Sequence, residues 1–228
     1  MSSTRFTVRA VLFDLDGTLL DTVEDLAEAA NRTLAELARP PRSIDEIREF
    51  VGKGIPNLVR RCMTEGTEAG EDEVQGAIAR FREHYALVNG SRSRVYAGVI
   101  ETLEAMRGSG LALACVTNKA EIFTRPLLER MGLAQFFPVV VSGDTLAVKK
   151  PDPAVLLHAC EQLGVSQHDA LMIGDSANDA SAARGASMPV LLVTYGYSEG
   201  VPVDTIECDG LISSTIEVLD RITINSSR

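Results

Sequence analysis

Two aspartates, Asp14 and Asp16, stand two residues apart at the end of an apolar run in VLFDLDGTLLD, residues 11–21. Residues of complementary type follow other apolar runs in the same way: Thr117 after LALACV, Lys149 and Lys150 after PVVVSGDTLAV, and Gly174 and Asp175 after ALMI. Three carboxylates, Asp14, Asp16 and Asp175, cannot crowd together without a rise in pKa unless a cation joins them. Oxygen donors with no histidine among them suit Mg²⁺. A carboxylate that attacks a phosphate dianion meets charge repulsion, which Mg²⁺ and a lysine offset while the Thr117 hydroxyl donates to the phosphoryl oxygens. The second aspartate can then serve as acid and afterwards as base. Gly17 allows close backbone approach at the turn, where neighbouring N–H groups can meet phosphoryl oxygens. Each residue also has a plainer use, as a helix cap, a turn former or a solvated lysine. Their convergence on one rim is what favours chemistry.

The elements that would bring them together are legible as short apolar runs: AVLF (10–13), LALACV (111–116), PVVV (138–141), ALMI (170–173) and PVLLV (189–193). Such runs read as parallel strands buried on both faces. Helical spacing separates the later ones, as in Ile100, Leu103 and Met106, or Val155, Leu156, Ala159 and Leu163. Alternating strand and helix predicts an α/β fold, a doubly wound parallel sheet, in which ligands bind at the carboxyl ends of the strands. The alternation breaks once. From Thr22 to about Ser91 the pattern is helical throughout, with ARPP (38–41) ending a first helix and further helices expected at 44–50, 56–63 and 72–88. About 70 residues are far more than an ordinary α/β loop. The expected organisation is a core of residues 1–20 and 92–228 with a helical domain, 21–91, inserted after the first strand.

Composition bounds the partners. The 228 residues are 45% hydrophobic, enough for a sizeable core. A net charge of -10 disfavours nucleic acid. It is compatible with a small phosphorylated metabolite, because a few lysines and a metal can reverse the field inside one cleft. No run approaches the ~18 apolar residues of a membrane span, and MSSTRFTVRA lacks a signal-type apolar segment. A cytoplasmic monomer or homodimer is expected. Cys62, Cys115, Cys160 and Cys208 are widely spaced and read as buried free thiols.

DLDGT (14–18), VTNK (116–119), KKP (149–151) and GDSAND (174–179) resemble, in order and spacing, the four motifs of the haloacid dehalogenase-like superfamily of phosphohydrolases. VGKG (51–54), SGDTLAVKKPDP (142–153) and VTYGYSEG (193–200) are similar to stretches of its bacterial phosphoglycolate phosphatases. The resemblance implies a Rossmann-like core with a cap at the insert. It implies Asp14 as a nucleophile that becomes an aspartyl-phosphate and Asp16 as the acid and base. Thr117, Asn118 and Lys150 would hold the phosphoryl group. Mg²⁺ would bind a carboxylate oxygen of Asp14, the backbone carbonyl of Asp16, and Asp175, with Asp179 behind them. Lys53 of the cap would reach the substrate. The second acid of D-x-D belongs to phosphoryl transfer and sets dehalogenation aside. The alternatives are a pyrophosphatase or sugar-phosphate mutase of the same superfamily and, from another class, a phosphorelay receiver-type protein. One departure is Ala186-Ser187, where an alanine-glycine pair is more familiar in the family.

Overall fold

A computed structural model describes residues 5–64 and 69–225. Residues 1–4 and 226–228 of the expected core, and 65–68 of the expected insert, lie outside them. The chain opens with β1 (Phe6–Val8), β2 (Ala10–Phe13) and β3 (Leu20–Asp21). Four helices follow: α1 (Val23–Glu36), α2 (Ile44–Phe50), α3 (Ile55–Met63) and α4 (Glu71–Val88). Then come β4 (Arg94–Val95), α5 (Val99–Gly108), β5 (Ala112–Val116), α6 (Glu121–Arg130), β6 (Val139–Val141) and α7 (Ala154–Leu163). The rest is β7 (Ala170–Gly174), α8 (Ala177–Gly185), β8 (Val190–Val193), β9 (Gly210–Ile212), α9 (Val218–Arg221) and β10 (Ile222–Ile224).

The main sheet has the order β6-β5-β2-β7-β8-β9, and every neighbouring pair is parallel. Strand order reverses around β2: the chain builds outward through β5 and β6, then returns to place β7 on the other side. That reversal opens a crevice at the carboxyl end of β2. The strands read as unbroken apolar runs because both faces are covered. Val11 and Phe13 point with Leu113, Cys115, Leu171 and Ile173 into one core, which α5 and α6 cover. Ala10 and Leu12 point with Ala114, Val116, Ala170 and Met172 into the other, where α7 and α8 supply Leu156, Ala159, Ala182 and Ala183.

Helices α1–α4 form a third apolar cluster around Leu34, Ile47, Met63, Phe81 and Tyr85, joined by Phe123 of α6 and by Tyr197. A neck holds this bundle. Its strands β3 and β4 pair antiparallel, Leu20 with Val95 and Asp21 with Arg94. The buried Asp25 carboxylate at the start of α1 accepts from the backbone N–H groups of Gly90, Arg92 and Ser93 and from the Ser93 hydroxyl at 2.6 Å.

The five expected strands are present, each within one residue of its expected bounds. Helices α3 and α4 begin one residue earlier than expected. The sequence reading omits β9, the β1–β10 pair and the neck strands, all of two or three residues. The cysteines are free, and Cys208 is half-buried where full burial was expected. No helix among the described residues is long and apolar enough to cross a membrane.

Candidate active site

Asp14 follows β2 directly, so the reversal of strand order sets its side chain in the crevice. Its backbone N–H donates to Ile173 of β7 at 2.9 Å. Lys150 reaches in from the loop after β6, with its Nζ 2.7 Å from Asp14 Oδ1, 2.7 Å from Asp179 Oδ1 and 2.7 Å from the Val116 carbonyl. Asp175 follows β7, and Asp179 lies in the first turn of α8, where its Oδ2 accepts from the N–H groups of Asp175 and Ser176 and from the Ser176 hydroxyl. Gly17, at φ 86°, and Gly196 both lie against Asp175; a Cβ on either would collide with it.

The electrostatics follow from burial. Removal from water pushes the Asp14 carboxyl up to about 7; Lys150 opposes this, and Asp179 and Asp16 reinforce it. Burial raises Asp175 well above the carboxylate range, and Asp179 and Asp14 add to the rise. Burial disfavours the Lys150 charge, yet Asp14 and Asp179 outweigh it and hold the ammonium above an ordinary lysine. Asp14, Asp175 and Asp179 offer oxygens within 4.8 Å of one another. With all three carboxylates ionised, a state that burial opposes and a bound cation favours, two negative charges stand in excess of the single Lys150 ammonium. That is the charge of a divalent cation, and an all-oxygen donor set suits a hard one.

Asp16 faces a different way. Its carboxylate accepts from the Thr22 hydroxyl at 2.7 Å and from Lys119 Nζ at 3.0 and 3.2 Å, so its side chain stands outside the three-carboxylate group. Lys119 is 4% exposed and donates also to the Tyr85 hydroxyl of α4 at 2.6 Å. Burial opposes its charge, but Asp16 and Tyr85 more than compensate. Thr117 is buried at the end of β5, its Oγ1 accepting from the Lys119 N–H. The Asn118 amide works as a strut, donating to the carbonyls of Gly52 and Lys150.

A cavity of about 40 Å³ lies against Asp14, Asp16, Asn118 and Lys119 on one side and Leu26, Val51, Ile55, Leu58 and Tyr85 of the helical bundle on the other. The structure thus gathers Asp14, Asp16, Thr117, Asn118, Lys150, Asp175 and Asp179. Lys53 stands apart from this cavity: its side chain is 55% exposed, and its Nζ pairs with Glu199 at 3.1 Å. Lys149 gives its Nζ to the Lys53 carbonyl. Sequence reasoning missed the Lys119–Tyr85 contact, for which VTNK was the only signal. Tyr195 and Tyr197 of VTYGYSEG pack against the apolar clusters and also carry hydrogen bonds. Both hydroxyls are bonded, Tyr195 to the Thr18 carbonyl, and Tyr197 to Asp21 while accepting from the N–H groups of Thr22 and Val23.

The model of the haloacid dehalogenase-like hydrolase family matches residues 11–193, which span Asp14, Asp16, Thr117, Asn118, Lys119, Lys150, Asp175 and Asp179. The chain belongs to that family. It is similar to a phosphoglycolate phosphatase of Thiobacillus denitrificans, 45% identical over 98% of this chain and 99% of that one. A phosphoglycolate phosphatase of Nitrosospira multiformis is 47% identical over 96% of this chain and 97% of the relative. Among solved structures, a predicted phosphoglycolate phosphatase from Haemophilus somnus superposes with a TM-score of 0.88 at 32% identity, covering 93% of this chain and 97% of that one. The chain is an enzyme of the phosphatase kind.

Proposed function

We propose that this family member is a Mg²⁺-dependent phosphoglycolate phosphatase that works through an aspartyl-phosphate on Asp14. The observation that carries the reading is the placement of Asp14 at the sheet's crossover, 2.7 Å from Lys150 and within a carboxylate group whose excess charge matches one divalent ion. Asp14 and Asp175 would hold Mg²⁺ with the Asp16 carbonyl, and Asp179, already bonded to Lys150 and the start of α8, would steady both. Bound Mg²⁺ supplies the neutralisation that lets a carboxylate approach a phosphate dianion.

The Asp14 oxygen attacks phosphorus, and the bond to the alcohol oxygen breaks. Asp16 gives that oxygen its proton. A water then attacks the phosphorus of the aspartyl-phosphate, Asp16 takes its proton, and phosphate leaves with Asp14 restored. Thr117 holds the phosphoryl oxygens, and Lys150, bonded to Asp14 and Asp179, positions the nucleophile and offsets the charge of the group that it receives. Residues 21–91 serve as a cap on a core of 1–20 and 92–228, a division supported by the separate apolar cluster of α1–α4 and by the paired neck strands. The substrate assignment is supported by the relatives' names.

The test is phosphate release from a panel of phosphorylated metabolites with Mg²⁺. Phosphoglycolate should give the highest kcat/KM. A clear preference for a hexose phosphate or pyrophosphate would keep the family and discard the substrate.

A further inference from the structure

Two buried lysines serve this site, and they face different work. Lys150 is committed to Asp14 and Asp179 and does not line the cavity. Lys119 does line it, the one cation among the described residues that do. Its Nζ meets both Asp16 oxygens, at 3.0 and 3.2 Å, and the Tyr85 hydroxyl at 2.6 Å. Apart from Tyr85, whose hydroxyl is bonded to Lys119, the side chains that the bundle supplies to the wall are apolar: Leu26, Val51, Ile55 and Leu58. A polyol entering there would lose water from hydroxyls that find no partner on that wall. A carboxylate matches one ammonium in size and charge and makes a charge-assisted hydrogen bond with it. Distance adds a further constraint. Lys119 Nζ is 3.0 Å from Asp16 Oδ1, so an alcohol oxygen served by Asp16 and an anion held by Lys119 must be close neighbours on the substrate.

We infer that Lys119 is the specificity-determining residue, taking the carboxylate of the leaving group so that the enzyme selects short phosphomonoesters whose alcohol oxygen and carboxylate are separated by one carbon. This rests on the proposed phosphoryl transfer to Asp14 and assigns the leaving-group end of that site. The role expected of Lys53 in the sequence passes to a residue of the core, because Lys53 is exposed and paired with Glu199.

The test compares phosphoglycolate with 2-hydroxyethyl phosphate, similar in length but without the anion, and follows the ratio of the two kcat/KM values. Lys119→Met should lower that ratio about 10²-fold, as loss of one partner of a buried charge pair does, with the loss carried chiefly in KM for phosphoglycolate. Lys119→Arg should restore part of it. If Lys119 acts only by steadying Asp16, both esters suffer alike, the ratio is unmoved, and the inference is overturned. Should Lys119→Met fail to fold by circular dichroism, Tyr85→Phe decides: removing the hydroxyl that orients Lys119 should lower the ratio several-fold, and an unchanged ratio overturns the inference. A wild type without preference for the carboxylated ester would sink the proposed substrate and this inference with it. A preference that survives in Lys119→Met sinks the inference alone.

Discussion

Asp14 and Asp16 are chemically identical side chains two residues apart, yet their surroundings divide them. Asp14 sits with two buried carboxylates and Lys150, whereas Asp16 is bonded to Thr22 and Lys119. Asp14→Asn removes the attacking charge, so neither phospho-enzyme nor product should form. Asp16→Asn should still accept phosphate from an activated aryl ester, whose leaving group needs no acid, and then hydrolyse about 10² to 10⁴-fold more slowly. Mass spectrometry of a rapidly quenched reaction locates the adduct; phosphate on Asp16 would refute the assignment. The adjacent lysines divide just as sharply. Lys150→Ala should cost about 10² or more in kcat, since it removes the charge that holds Asp14 and offsets the transferring group. Lys149→Ala should stay within a few-fold of wild type in the same steady-state assay, because its ammonium is spent on the Lys53 carbonyl.

Among the elements, the helix ends are informative. Helices α5, α6 and α7 each close with a left-handed residue followed by a backbone N–H that reaches five residues back, and in each the left-handed residue is glycine: Gly110, Gly132 and Gly164. Helix α8 closes in the same way, Met188 N–H to the Ala183 carbonyl, but with Ser187 at φ 54°. This gives the unfamiliar Ala186-Ser187 pair a physical meaning: a side chain occupies a glycine position. Ser187→Gly should stabilise the fold by up to about 1 kcal/mol, read as a rise in Tm of about 2–4 °C. Tyr197 performs the opposite service at the start of α1, its hydroxyl meeting the N–H groups of Thr22 and Val23 in a buried setting. Tyr197→Phe leaves the Thr22 N–H without its partner and the Val23 N–H with only a long bond to Asp21, and should destabilise the protein by about 1–3 kcal/mol in urea titration. Neither device was legible beforehand. A serine after a helix gives no sign of its φ, and Tyr197 meets α1 only through the fold.

For the molecule as a whole, folding concentrates negative charge at one point, and a divalent ion should relieve it. Mg²⁺ at about 100 times its Kd should stabilise the folded state by about 2.7 kcal/mol, a rise of several degrees in Tm, and Asp175→Asn should abolish most of that rise. Calorimetry with and without EDTA measures both. The main sheet was legible because strands buried on both faces must be apolar along their whole length, and the acids and lysines were legible because they interrupt such runs. What sequence could not convey depended on distant partners. Lys53 between two glycines looks free until Glu199 is folded against it, and Lys119 looks like one lysine among several until α4 brings Tyr85 onto it. The neck has a consequence for heredity. The helical bundle leaves the core at Asp21 and returns at Arg94 on paired strands, and none of the ladder pairs of the six-stranded sheet involves it. A lineage could therefore exchange the whole bundle for another of different shape, grafted at that one joint, and inherit the sheet with its aspartates in unchanged register.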